Sequence, residues 1–149
     1  MARRPLSNLL KVEIGTGLTY YPRMTSPRPL GDGDFARIVR CAPLVSIDII
    51  VRDPQRYSLL GLRVNEPARS KYFVPGGAIR KNDTIRDAFA RILKAKIGIK
   101  ASLDNATFVG VFEHFYEMNR FGNPEYGIHY VVLAYEIIFP EWPLIEIDS

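Results

Sequence analysis

The chain has 149 residues, with 20 Lys+Arg against 16 Asp+Glu and a formal net charge of +4, a length that suits one domain with its own core. Apolar residues at 47% and charged residues at 24% exclude a disordered, collagen-like or fibrous chain. One cysteine, Cys41, excludes an internal disulfide, and no Cys/His spacing resembles a zinc site.

Residues 1–30 carry Pro5, Pro22, Pro27 and Pro29 and read as an extended arm, with one strand near Leu10 to Ile14; residues 31–149 then form the single domain. A short helix fits Gly33 to Arg40, where Asp34 is the expected cap, Phe35, Ile38 and Val39 share a face, and Pro43 ends it. Leu44 to Arg52 (LVSIDIIVR) is β-branched and reads as a buried strand. Asp53-Pro54 turns the chain, and Tyr57 to Val64 is its expected hairpin partner. Tyr72 to Val74 is a short strand that Pro75-Gly76-Gly77 should stop.

The clearest helix runs from Thr84 to about Lys96, because Ile85, Ala88, Phe89, Ile92 and Leu93 recur at helical spacing. Thr84-Ile85-Arg86-Asp87 resembles a capping box, and Gly98 is the stop. Two long strands follow, near Thr107 to Glu117 and Ile128 to Phe139, and the tail PEWPLIEIDS would add an edge strand. One long helix among about six strands predicts a mixed α/β (α+β) fold with the helix packed on a sheet.

The net charge hides an asymmetry. Residues 1–109 hold 19 basic against nine acidic residues, whereas residues 110–149 hold only Arg120 against seven acids. No apolar run nears the roughly 20 residues of a spanning helix, and MARRPLSNLLKVEIG lacks the apolar stretch of a signal peptide. The expectation is a cytoplasmic protein with an anionic partner and no membrane contact. Basic and aromatic residues do not interleave as in a known nucleic-acid module, so nucleic acid is not the expected partner.

Gly76-Gly77 before a helix suits close backbone approach by a ligand, but neither GxxxxGK[ST] nor GxGxxG is present. The longer spacing is more specific. Gly77, five residues, Asp83, seven residues, Arg91, six residues and Gly98-Ile99 resembles the Nudix box, G-x5-E-x7-R-E-U-x-E-E-x-G-U. The strand leading in, KYFVPGGAI, resembles the family's usual W-x-x-PGG entry, and APLVSIDIIV, LLGLRVNEPARSKYFVPGG, FVGVFEHFY and GIHYVVLAYEI resemble, in order and spacing, the GDP-mannose mannosyl hydrolase branch, from about Asp34 to Ile138.

That resemblance implies a Nudix fold, a mixed β-sheet core between helices, and Mg2+-dependent hydrolysis of a nucleotide sugar by water attack at the anomeric carbon, releasing GDP. It also implies a homodimer. Carried over by position, Asp48, Arg63, Arg91 and Tyr130 become substrate-binding candidates, and the Gly76 carbonyl becomes a metal ligand. An arginine fork suits phosphate or sugar hydroxyls.

The box departs from its pattern where the metal should sit. The three glutamate positions of its REUxEE segment hold Ile92, Ala95 and Lys96, and a lysine ammonium cannot ligate Mg2+. The arginine that follows Gly-Gly in the branch is Ala78 here, and no histidine follows His129 to supply the branch's late base. Weak or impaired hydrolysis is therefore expected, the alternative being a catalytically silent nucleotide-binding or protein-interaction module, and no catalytic residue is assigned. Lys96 also suits the last turn of a helix as a cation facing the dipole. His114 reads as a strand histidine sharing a face with Phe112 and Tyr116, whereas Asp48, an acid inside an apolar strand, needs a partner or a function.

Overall fold

The protein is described here from a computed structural model, and the described residues are 30–141. The predicted strand at Leu10 to Ile14, the N-terminal arm and the tail strand lie outside them. The described elements are α1 (Asp32–Cys41), β1 (Leu44–Arg52), β2 (Gly61–Leu62), β3 (Tyr72–Phe73), β4 (Gly76–Ala78), α2 (Ile85–Ile97), β5 (Ala106–Tyr116) and β6 (Ile128–Ile138). Four strands form a mixed sheet in the order β4-β1-β6-β5, in which β1 runs parallel to β6 and the other pairs are antiparallel.

Alternation along β1 sends Ile47, Ile49 and Val51 to one side, where all three are fully buried. They pack against Ala88, Phe89, Ile92, Leu93 and Ile97, the apolar stripe of α2. Burying each of these larger side chains is worth roughly 1.5–3 kcal/mol, so this α2 face supplies most of the core. Phe89 meets Tyr135 edge-on at 5.9 Å. The ends of α2 behave as its sequence predicts. Thr84 Oγ1 accepts from the Asp87 amide at 3.1 Å and donates to Asp87 Oδ2 at 2.7 Å. Gly98 closes the helix in the left-handed region at φ 72°, its N–H bonded to the Lys94 carbonyl.

The opposite side of the sheet carries Leu44, Ser46, Asp48, Tyr130, Val132, His114 and Tyr116, neighbours through the β1–β6 and β5–β6 registers. There α1 packs Phe35 and Val39 on Leu44, Ile128, Tyr116 and Tyr130. The result is a sheet between two helices. On this α1 face the apolar layer is thin, and polar side chains interrupt it.

Four local expectations are corrected. The N-cap of α1 is Gly31, without a side-chain cap, and Asp34 lies inside the helix. Residues 57–64 do not form a hairpin with β1 along their length. Ser58 bridges Arg52 and the Leu59 amide bonds the Val51 carbonyl, after which the chain leaves and β2 pairs with β3. The Gly76-Gly77 pair does not end a strand but begins one, since β4 lies antiparallel on β1. Asp48 faces Gly76 there, at a position where a side chain would collide. A longer element than predicted appears at α1, which extends one residue past Arg40 to Cys41.

Candidate functional site

Three of the four residues expected to touch substrate share one electrostatic neighbourhood on the α1 face. Asp48 projects from the middle of β1 and is half-buried. Burial pushes its carboxyl above the usual carboxylate range, while the positive charge of Arg63 and the nearby His114 imidazole pull against that rise. Tyr130, from the start of β6, has its phenol raised, mainly by burial. Arg63 and Arg120 oppose that shift, and Tyr116 and Asp48 add to it. The Asp48 carboxyl and the Tyr130 phenol thus feel each other's charge together with the Tyr116 phenol, the His114 imidazole and the Arg63 and Arg120 guanidinium groups.

The β2–β3 hairpin delivers Arg63. Its amide bonds the Lys71 carbonyl at 2.9 Å and its carbonyl accepts from Ser70 N–H at 2.8 Å, which fixes the backbone on both sides. The guanidinium then lies 5.5 Å from the Phe73 ring centre, a contact that steadies the fork without consuming its donors.

Arg91, the fourth, is engaged elsewhere. Its Nη2 donates to Asp83 Oδ2 at 2.7 Å and to the Ala78 carbonyl at 3.0 Å, and its Nε reaches the same carboxylate at 3.2 Å. Asp83 is nearly buried, with 6% of its side chain exposed. This pair braces the turn between β4 and α2, as the box spacing between these two residues allows.

Gly76 occupies the position opposite Asp48. The bonds from Ile49 N–H to the Pro75 carbonyl and from Ile79 N–H to the Val45 carbonyl flank this pairing. By the alternation of an antiparallel ladder, the Gly76 carbonyl points away from β1 towards the free edge of β4. It is available as a ligand, but its surroundings do not complete a Mg2+ site. Ile92 and Ala95 bring no oxygen, Lys96 is an exposed cation, and Asp87 is used in capping. Glu113 sits 3.3 Å from His129 Nε2. Among the described residues no group of three or more His, Cys, Asp or Glu side chains is placed to hold a metal ion. The donor set does not fit a hard dication that wants several oxygen ligands.

Two further features were not expected from the sequence. Arg120, a lone basic residue in the acidic third, reaches the Tyr130 neighbourhood, and only its isolation among acids hinted at a role. A shallow cleft of about 380 Å³ opens at the end of the sheet beside Arg40, Cys41, Phe115, Tyr126 and His129. Asp48, Arg63 and Tyr130 do not line it.

Residues 42–144 match the NUDIX domain family. The chain belongs to the NUDIX family. As a NUDIX domain it is 38% identical over 106 residues, 71% of its length, to the low-salt glycan biosynthesis protein Agl8 of Haloferax volcanii. It spans 65% of that relative's length. Among solved structures it resembles a MutT/nudix family protein from Enterococcus faecalis (TM-score 0.56, 21% identity, 80% of this chain and 48% of that one). It also resembles a MutT NUDIX hydrolase from Burkholderia pseudomallei (TM-score 0.56, 22% identity, 70% and 73%). A third likeness is the NUDIX domain of Shewanella oneidensis NrtR, solved with ADP ribose (TM-score 0.53, 14% identity, 79% and 80%). These identities establish the NUDIX fold, the mixed sheet between helices expected from the box. NUDIX proteins typically use Mg2+ and bind nucleotide-type ligands. No helix among the described residues is long and apolar enough to cross a membrane.

Proposed function

We propose that this NUDIX domain, spanning residues 31–149, binds a nucleotide sugar of the GDP-mannose type on its α1 face, in the cytoplasm, and hydrolyses it weakly to sugar and GDP. The observation that carries the reading is a division within the domain. Asp48, Arg63 and Tyr130 gather on one sheet face, while α2 presents Ala95 and Lys96 where the box would carry carboxylates. In this reading the sheet face supplies the binding groups, while α2 offers few oxygen ligands for a metal ion. Agl8 is named for glycan biosynthesis, and glycan assembly draws on nucleotide sugars, which supports this ligand class.

In this reading Arg63 forks onto phosphate or sugar hydroxyls, and the Tyr130 hydroxyl offers a further donor. Asp48, whose burial favours its protonated form, can donate to or accept from a sugar hydroxyl according to pH. No residue is assigned to activate water, and no step runs through Mg2+. The α2 donor set also favours a second reading, a silent module that binds the same ligand without turnover.

The test is calorimetric titration with GDP-mannose, with and without Mg2+, alongside release of mannose and GDP. Binding that is indifferent to Mg2+, with turnover far below that of a NUDIX hydrolase holding all box glutamates, is expected. Binding without any turnover selects the silent module. Absence of binding removes both readings.

The homodimer implied by the resemblance is proposed through β5, the sheet edge. Phe108, Val109, Val111, Phe112 and Phe115 on this strand are all about half exposed or more. At about 150–250 Å² for a full aromatic side chain, they expose on the order of 500 Å² per protomer, so two copies approach the roughly 1,000 Å² a specific interface needs. Among the described residues β5 is the 11-residue edge of the sheet, and such an edge is a template for a second strand.

A further inference from the structure

We propose that Arg120 is a second anion-binding residue of this site, and that its guanidinium exchanges the Asp32 carboxylate for the diphosphate of the nucleotide ligand. The inference rests on the nucleotide-binding reading above and adds a residue and a mode of capture to it.

Arg120 lies on the loop between β5 and β6, which is held from within by Asn119. That side chain is fully buried. Its Nδ2 donates to the Asn123 carbonyl at 2.8 Å and the Tyr126 carbonyl at 2.7 Å, and its Oδ1 accepts from Phe121 N–H at 2.9 Å. Position 120 is therefore fixed by its neighbour rather than left on a swinging loop.

The guanidinium sits against two rings, 4.8 Å from the Phe35 centre and 5.0 Å from that of Phe121, which lie 6.0 Å from each other. Phe35 packs in the same apolar cluster as Tyr130 and Tyr116. The clamp thus holds a permanent cation beside the face that carries Asp48 and Tyr130. Aromatic contacts engage the plane of a guanidinium and leave its N–H edge free to fork onto an anion. Arg63 is held on Phe73 in the same way from another element. Two arginines, each steadied on aromatic rings, therefore serve one face.

At present the Arg120 edge is occupied by Asp32, whose Oδ1 lies 2.5 Å from Nη2. Both side chains are exposed, at 51% for Arg120 and 77% for Asp32. An ion pair this exposed contributes little, because water screens it and both side chains lose freedom in making it. A diphosphate brings more charge and a bidentate edge, and such contacts are stronger. Asp32 then acts as a weak internal competitor that keeps the guanidinium oriented until ligand arrives. The mode also answers the chemistry of α2: its one carboxylate, Asp87, is engaged by the Thr84 cap, and arginine is a direct partner for phosphate.

The experiment is calorimetry of the full chain with GDP, GDP-mannose and guanosine in EDTA, with Tm recorded for each variant. Asp32→Asn should tighten GDP about three- to fivefold by removing the competitor, and Arg120→Ala should weaken it about tenfold, with Arg120→Lys between. Asp34→Asn, a charge change in the same helical turn, should leave GDP affinity as it is. None of these variants should alter any guanosine binding. If Asp32→Asn leaves or weakens GDP affinity, or Arg120→Ala lowers only Tm, Arg120 is a structural latch and the proposal fails. If the wild type binds GDP and only Arg63→Ala abolishes it, this inference falls and the functional reading stands. If the wild type binds neither GDP nor GDP-mannose, both fall together.

Discussion

The carboxylate of Asp48 fills the space that a side chain at residue 76 would need. A Cβ built on Gly76 would collide with Asp48 Oδ1 and lie 3.0 Å from the Ile47 carbonyl oxygen. Glycine at 76 thus leaves the room that the Asp48 carboxylate occupies across the two strands. Gly76→Ala should lower stability by about 1–3 kcal/mol, read as a fall in the urea midpoint at unchanged m. Adding Asp48→Gly should recover part of the loss, because the side-chain half of the clash disappears while the Ile47 carbonyl remains. Full additivity of the two changes would contradict the contact.

Asp48 itself should trade stability for binding. Its folded carboxyl is raised above the unfolded value, chiefly by burial. For an acid with a raised folded value, the native state binds more protons in the window between the two values, so stability falls as pH rises through it. Above that window a buried charge is carried at a cost. Asp48→Asn should then raise Tm at pH 7 by about 2–4 °C and flatten the pH dependence just above the usual carboxylate value, while weakening GDP-mannose. Thermal scans from pH 3.5 to 7.5 check the first part. A variant less stable at pH 7 would show that the charge is compensated.

Arg91 is expected to matter for stability rather than ligand affinity. Removing it leaves Asp83 nearly buried beside an unmatched Ala78 carbonyl. Arg91→Met should cost about 2–4 kcal/mol in denaturant unfolding and change the Kd for GDP by less than about twofold in the folded protein. A large loss of affinity with normal stability would return Arg91 to the binding residues.

The α2 donor set predicts the metal response. Lys96→Glu places one carboxylate where a cation now stands, and Ala95→Glu adds another. The double variant should bind Mg2+ measurably better than the wild type, by about tenfold or more, because hard dications gain with each anionic oxygen. Titration with Mn2+ followed by water relaxation reads this without reference to turnover. No gain would mean that the Gly76 carbonyl and the helix no longer face a common point.

Pairing through β5 predicts a charge-sensitive oligomer. Val111→Glu with Phe115→Lys should convert a dimer to a monomer in sedimentation velocity, with little change in Tm, since both side chains are already exposed, Phe115 at 69%. A wild-type monomer at micromolar concentration would remove the proposed interface.

Much of this protein could be read along the chain. The stripe from Ile85 to Leu93, the Thr84 cap and the Gly98 stop each depend on residues within a turn or two, and α2 matches them. LVSIDIIVR marked β1 to the residue, because a β-branched run has few alternatives. The spacing of Asp83 and Arg91 was legible as part of a box, and Asp48 as an acid that an apolar strand would not otherwise carry. The failures share a cause. Gly76-Gly77 looks like a loop until β1 lies beside it, and residues 57–64 look like a hairpin arm until β2 finds β3. Strand partners are chosen by packing between distant segments, which no local pattern records. The role of Arg120 is of the same kind, since Phe35 and Asp32 are far from it in sequence.

The charge balance illustrates the division. By itself the sequence determined where the basic residues concentrate, and that Ala95 and Lys96 stand in the last turns of α2, because identity at a fixed spacing on one helix is a local property. Only the tertiary structure decided which charges come near one another. The arginine of the box turns inward to a buried aspartate, and two others reach the sheet face, one from a hairpin and one from the acidic third. Coulomb interactions depend on distance in space, and folding sets that distance.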